Sequence, residues 1–305
     1  MSDLPKRISL REVGPRDGLQ NEGPVATQAK VELVDALSRT GVGRIEAVSF
    51  VHPRAIPQMA DADEVWSRIS REPNVRYSAL VPNLRGTQRA LDQGCLEIEI
   101  VVSASDTHNK ANVNRTTAES LDEIAQVIDL AHSRGASCHV TVSTAWGCPY
   151  EGDVPVSRVV SVAKRAVADG ADGLSFGDTT GMATPTRVTE LVGETRMALP
   201  DSPLNLHFHN TRGTALANVL AALQLGVADF DASVGGLGGC PYAPGASGNL
   251  ASEELVHMVE DMGIDTGVDL DALINVALEA ERMVGRELPS QVLRAGPRTR
   301  RTPLP

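Results

Sequence analysis

Short β-branched runs alternate with stretches of helical periodicity from one end of the chain to the other. Eight runs have the length and composition of buried strands: 8–13 (ISLREV), 44–50 (RIEAVSF), 77–81 (YSALV), 96–104 (LEIEIVVSA), 138–144 (CHVTVST), 173–178 (GLSFGD), 204–210 (LNLHFHN) and 229–234 (DFDASV). Between them, apolar residues recur three and four positions apart. Val31, Val34 and Leu37 share one helical face, and Leu121, Ile124 and Ile128 share another, preceded by a capping box of Thr116 and Glu119. Gly41, Gly94, Gly135, Gly170 and Gly226 each fall between a helical run and the next strand, where a helix-ending glycine belongs.

Eight strands, each followed by a helix, predict an α/β fold, the (β/α)8 TIM barrel. A doubly wound open sheet is the competing arrangement, and no GxGxxG follows the first strand to support it. A single catalytic domain, 1–305, is expected. Its barrel spans about 8–248, and additional C-terminal helices (252–262 and 271–285) pack on it as an appendage. The basic, proline-containing tail 294–305 is expected to be disordered. Aromatic residues are only 3% of a chain that is 42% hydrophobic, so aliphatic side chains must fill the core.

The formal charge of −11 argues against nucleic acid and anionic membrane surfaces as partners. An anionic substrate then needs local cations or a metal. Cys95, Cys138, Cys148 and Cys240 match no zinc spacing and form no CxxC. The first ten residues carry no apolar signal core, and no run of about 18 apolar residues appears. A soluble protein of the reducing cytoplasm, with free thiols, is the expectation.

In such barrels chemistry sits at the carboxyl ends of the strands. Those ends carry Arg16 and Asp17 after the first strand, Glu46 in the second, Asp178 after the sixth, His207 and His209 in the seventh, and Cys240 and Asn249 beyond the eighth. In LHFHN, residues i and i+2 share a face, so both imidazoles should point into the mouth. A pair of core histidines is the alternative, and facing carboxylates favour a metal. Asp17 is the natural anionic ligand and the Asn249 amide oxygen a fourth. Two nitrogens with two oxygens suit Mg²⁺ or Mn²⁺; ligand types alone also fit a non-haem iron site. Glu46 fits either a buried pair that braces the barrel or a partner orienting Arg16. Asp178 fits either a turn cap or an acid–base group.

The stretch 235–249, GGLGGCPYAPGASGN, surrounds Cys240 with six glycines and two prolines. With VGPRDGLQNE (13–22), SFVHPRAIPQMAD (49–61), GCPYEG (147–152) and HFHN, it closely resembles the 3-hydroxy-3-methylglutaryl-CoA lyase family of metal-dependent TIM barrels, over about residues 8–285. The resemblance implies cleavage of a 3-hydroxyacyl-CoA, most simply 3-hydroxy-3-methylglutaryl-CoA to acetyl-CoA and acetoacetate, in leucine degradation. It implies Asp17, His207, His209 and Asn249 as ligands of Mg²⁺ or Mn²⁺, and Arg16 as the cation on the thioester oxygen. Cys240 becomes the thiol of a mobile loop whose glycines let it swing closed. Glu46, Asp178 and the metal-bound His207 complete the catalytic set, and a homo-oligomer, dimer or larger, is expected.

Two departures bear on the acyl group. His139 and Thr141 stand where the family commonly has Arg and Tyr, at positions expected to face the acyl pocket, and Asn210, Thr211 and Arg212 replace Asp-Thr-Tyr. A citramalyl or longer-chain glutaryl thioester is therefore a competing substrate. Arg54, Arg85 and Lys110 are candidates for the coenzyme A phosphates. Two other functions compete: a Claisen-condensing acyltransferase, which typically carries a further carboxy-terminal domain, and an inert metal-binding scaffold, which would not need Arg16, Cys240 and both histidines.

Overall fold

The computed structural model describes residues 4–239 and 248–301. Eight strands follow one another around a closed barrel: β1 (Ser9–Glu12), β2 (Arg44–Ser49), β3 (Arg76–Leu80), β4 (Glu97–Ser103), β5 (Ser137–Ser143), β6 (Gly173–Gly177), β7 (Leu204–His207) and β8 (Asp229–Ala232). All neighbours are parallel, and β8 closes on β1 with Ser9 opposite Asp229 and Glu12 opposite Ala232. The expected TIM barrel is the observed one, strand for strand.

The outer ring is α1 (Thr27–Ser38), α2 (Ala62–Arg68), α3 (Leu84–Asp92), α4 (Asp106–Val113), α5 (Thr117–Ser133), α6 (Val156–Ala168), α7 (Pro185–Ala198) and α8 (Ala215–Leu223). Val31, Val34 and Leu37 of α1 are buried, as are Leu121, Ile124 and Ile128 of α5, which begins with the Thr116–Glu119 capping box. The five predicted helix-ending glycines all have positive φ, from 72° to 101°. Odd and even positions alternate in burial along β5 as far as Val142. Cys138, Val140 and Val142 are buried against the helices, while Ser137, His139 and Thr141 are half-buried on the lumen side.

Among the described residues, three helices follow the barrel: α9 (Ser252–Asp261), α10 (Leu270–Val284) and α11 (Gln291–Ala295). The last was not expected from the sequence. Arg294 pairs with Glu281 of α10, and Arg298 bonds Asp261 of α9 at 2.7 Å. Five residues carry too little periodicity to announce a helix. Side-chain contacts from elsewhere in the chain hold this one in place.

Candidate active site

The mouth is assembled from the ends of β1, β2, β6, β7 and β8. After β1 the chain makes one wide turn, Gly14–Gly18, with the amides of Asp17 and Gly18 both returning to the Val13 carbonyl (2.7 and 3.2 Å). Single wide turns of this kind are frequent at functional sites. It presents Arg16 and Asp17 side by side. A register shift between Glu46 and Val48 in β2 then brings Glu46 under Arg16.

Arg16 donates from Nε and Nη2 to the two oxygens of Glu46 (2.8 and 3.0 Å), and from Nη1 to Asp17 (2.6 Å). Glu46 is 1% exposed. Glu46 is thus a buried ion-pair partner that also orients Arg16, an arrangement compatible with both of its readings. A guanidinium has five N–H donors, so one remains on each terminal nitrogen. Burial alone would discourage the Arg16 charge, but Glu46 and Asp17 more than reverse this and hold it firmly protonated. Burial likewise pushes the Asp17 carboxyl up, while Arg16, His207 and His209 pull harder and leave it lowered to about 2. Gln20 also donates to Asp17, at 2.9 Å.

β7 ends at His207, yet the alternation continues. Phe208 is buried outward against Trp146, and His209 returns to the lumen with its ring 5.1 Å from that of His207. Residues 248–250 run antiparallel beside 208–210, through Asn210 N to Gly248 O (2.7 Å) and Leu250 N to Phe208 O (3.1 Å). That pairing delivers Asn249 to the histidines.

Ligand atoms of Asp17, His207 and His209 lie within 4.8 Å of one another, so a single cation fits among them. Asn249 donates from Nδ2 to Asp17 (2.8 Å) and to the Leu237 carbonyl (3.1 Å), and its Oδ1 is buried with no partner among the described residues. An orphaned buried acceptor is costly unless something binds it. Two imidazoles, a carboxylate and that amide oxygen are therefore a donor set suited to a divalent cation. His207 is held at Nδ1 by Asp231 (3.1 Å), leaving Nε2 for the cluster. Burial opposes its protonation, but Asp231 and Asp17 raise its pKa; His209, buried and beside His207, is lowered to about 3.

Asp178 caps a turn and keeps one oxygen out of that cap. One oxygen accepts from the amides of Met182 and Ala183 (2.7 and 3.1 Å), capping the turn after β6. The other is buried with no partner among the described residues, and burial raises the carboxyl to about 6.

Cys240 lies outside the described residues. Gly235, Gly236 and Gly238 have φ of 64°, 70° and 118°, and a Cβ on Gly238 would sit 2.9 Å from Asn249 Nδ2. They are needed for a tight, close-packed turn. His139 also departs from expectation. Its ring lies against Gly173, the first residue of β6, far enough down the barrel to act on Asp172, so it does not face the mouth. Thr141, two residues on, is in register with Ser175. Arg212 ties the loop after β6 to the loop after β7 by donating to the carbonyls of Thr180 and Gly181 (2.6 and 3.0 Å).

Arg54, Arg85 and Lys110 follow β2, β3 and β4 on the mouth side and are exposed. Cys95, Cys138 and Cys148 are buried; burial pushes the Cys95 thiol up to about 12 and raises Cys138 further. In GCPYEG, Glu151 accepts from Ser105 Oγ (2.7 Å) and Thr107 N (2.9 Å), bracing α4.

A closed (β/α)8 barrel with a His-x-His pair, a carboxylate and a guanidinium converging at its mouth defines a class of metal-site TIM barrels. The HMGL-like family model matches residues 7–279, and the chain belongs to that family. It is 47% identical over 290 residues to the hydroxymethylglutaryl-CoA lyase YngG of Bacillus subtilis (strain 168), covering 95% of this chain and 97% of that protein. It is 44% identical over 301 residues to the (R)-citramalyl-CoA lyase of Chloroflexus aurantiacus, covering 95% of each. An HMG-CoA lyase structure from Acinetobacter baumannii, in complex with coenzyme A and 3-methylmalate, superposes with a TM-score of 0.95 at 42% identity over the whole of both chains.

Proposed function

We propose that this chain is a divalent-metal-dependent carbon–carbon lyase that cleaves 3-hydroxy-3-methylglutaryl-CoA to acetyl-CoA and acetoacetate. The observation that carries the reading is the convergence of Asp17, His207 and His209, with Asn249 bonded to Asp17 and its Oδ1 without a partner among the described residues, beside a guanidinium with two donors to spare. Mg²⁺ or Mn²⁺, held by those four residues, would acidify the 3-hydroxyl and fix its orientation.

The chain's own groups account for the rest. The free oxygen of Asp178 takes the hydroxyl proton as the C2–C3 bond breaks and its electron pair passes to the thioester. Arg16, pinned by Glu46, presents its remaining N–H groups to the oxygen on which enolate charge develops. The Cys240 thiol then delivers a proton to C2, releasing acetyl-CoA. Arg54, Arg85 and Lys110 supply the cations that an acidic protein otherwise lacks for the coenzyme A phosphates. A cytoplasmic setting, a place in leucine degradation and assembly as a homo-oligomer are part of the same proposal; no helix among the described residues is long and apolar enough to cross a membrane.

The citramalyl thioester is the second substrate to test. It is favoured by the similarity to a citramalyl-CoA lyase and by Thr141 on the lumen side of β5. The deciding experiment incubates the protein with Mg²⁺ and a panel of 3-hydroxyacyl-CoA thioesters, and both products are identified by mass. Acetyl-CoA plus acetoacetate from the methylglutaryl thioester, at the highest kcat/KM of the panel, is the expected result. Acetyl-CoA plus pyruvate from the citramalyl thioester at higher kcat/KM would reassign the acyl group, and no cleavage of any member would overturn the lyase reading.

A further inference from the structure

Beneath the mouth, the lumen holds a group of charges that bond cleavage does not use. Arg11, on β1 and 3% exposed, donates from Nε and Nη2 to both oxygens of Asp231 on β8 (2.8 Å each), and its Nη1 pairs with Glu99 on β4. Asp231, 4% exposed, also lies 3.1 Å from Nδ1 of His207 and accepts from Asn205 Nδ2 at 2.9 Å. Asn205 Nδ2 reaches Ser175 Oγ as well, at 2.9 Å. Five strands are thus linked across the barrel one level below the proposed metal. Burying such ions costs several kcal/mol each, and apolar residues of similar volume often do the structural work as well. A purely bracing role therefore explains the cluster poorly.

We infer that Asp231 is a positioning residue for the metal site. It accepts the Nδ1–H of His207, fixes that tautomer, and aims Nε2 at the cation, while Arg11 holds the carboxylate in the plane this contact requires. The inference rests on the metal reading above. Carboxylates behind metal-bound imidazoles are a recurrent device, and their loss typically costs about 10–100-fold in metal affinity. The arrangement is one-sided. His209 Nδ1 is buried with no partner among the described residues, so only His207 is locked from behind. Glu99 completes the charge balance of Arg11 without touching the histidine.

Mn²⁺ titration followed by the electron-spin signal of free Mn²⁺ separates these roles. The wild-type protein should bind one Mn²⁺ per chain, and its failure to do so would remove the metal reading itself. Asp231→Asn should bind Mn²⁺ about 10–100-fold more weakly. Glu99→Gln, which leaves the Asp231–His207 contact intact, should lower Tm with affinity near wild type. An Asp231→Asn protein that loses Tm but keeps its Mn²⁺ affinity makes Asp231 a brace and overturns the inference. Should Asp231→Asn fail to fold, the wild-type protein still decides. Nitrogen-15 spectra of its histidine rings, with His207 assigned by its absence in His207→Gln, should show a protonated Nδ1 and a bare Nε2 in the neutral, metal-free ring. The opposite tautomer at His207 refutes the contact.

Discussion

Arg16 spends three donors on two carboxylates and keeps two for the mouth, and this division sets what its replacement should do. Arg16→Gln removes the charge proposed to face the developing enolate while leaving Asp17, both histidines and Asn249 in place. A loss of about 10²–10³-fold in kcat with little change in Mn²⁺ affinity is expected from steady-state kinetics and titration. Arg16→Lys should recover little, because the fork that meets both Glu46 oxygens is absent from an ammonium. Asp178 makes a pH-dependent prediction. Burial raises its carboxyl from 3.8 to about 6, so it is ionised and able to take a proton only above that pH. The kcat profile should therefore fall on its acid side with a midpoint near 6. Asp178→Asn should lower kcat throughout, and a profile flat from pH 5 to 8 in the wild type would exclude Asp178 as the base. At this scale the motif residues were legible because each sits at a strand end with few structural reasons to be polar. Gln20, Arg11 and Asp231 were not picked out. Asp231 alternates with Phe230 and Ala232, which marks it as lumen-facing, but nothing local says that its partner is a histidine 24 positions earlier.

The elements around the mouth are tied together by two buried acids. Glu12, the last residue of β1, accepts from the amides of Gly14 and Val234 (2.8 Å each) and from Ser252 Oγ (2.5 Å). Glu253, in the first turn of α9, accepts from Gly235 N at 2.9 Å. Together they fasten the Arg16–Asp17 turn and the start of the 235–249 loop to the same point. Burial raises Glu12 from 4.5 to about 7 and Glu253 from 4.5 to about 8. Both therefore bind protons in the folded state that the unfolded chain has already lost above its own pKa. The stability they contribute is complete below about pH 4.5 and disappears as pH rises through 7 and 8. Thermal melts from pH 6 to 9 should show Tm falling in the wild type and falling less in Glu253→Gln. The difference should be on the order of a few kcal/mol. Equal slopes would mean that Glu253 does not hold its proton. The strands and helices were legible because β-branched runs and helix-ending glycines are local signals. What composition could not tell is that Gly235, Gly236 and Gly238 take positive φ, and that Gly238 lies close against Asn249.

For the molecule as a whole, the closed barrel explains why residues from positions 16 to 249 meet at one mouth in a chain of net charge −11. The global field repels an anionic thioester, so binding must rest on local cations, and raised ionic strength should affect KM through those alone. Cys240 tests how the mouth closes. A mild alkylating reagent should modify it ahead of the three buried thiols and inactivate the enzyme, and bound product should protect it. Activity that survives stoichiometric alkylation at Cys240 would pass its proton transfer to another group. Metal dependence of bond cleavage is measured most directly on chelator-treated protein supplied with the methylglutaryl thioester, with acetoacetate followed over time. No acetoacetate before metal addition, and full recovery with either Mg²⁺ or Mn²⁺, is the predicted result. Undiminished acetoacetate formation by the metal-free protein would contradict it.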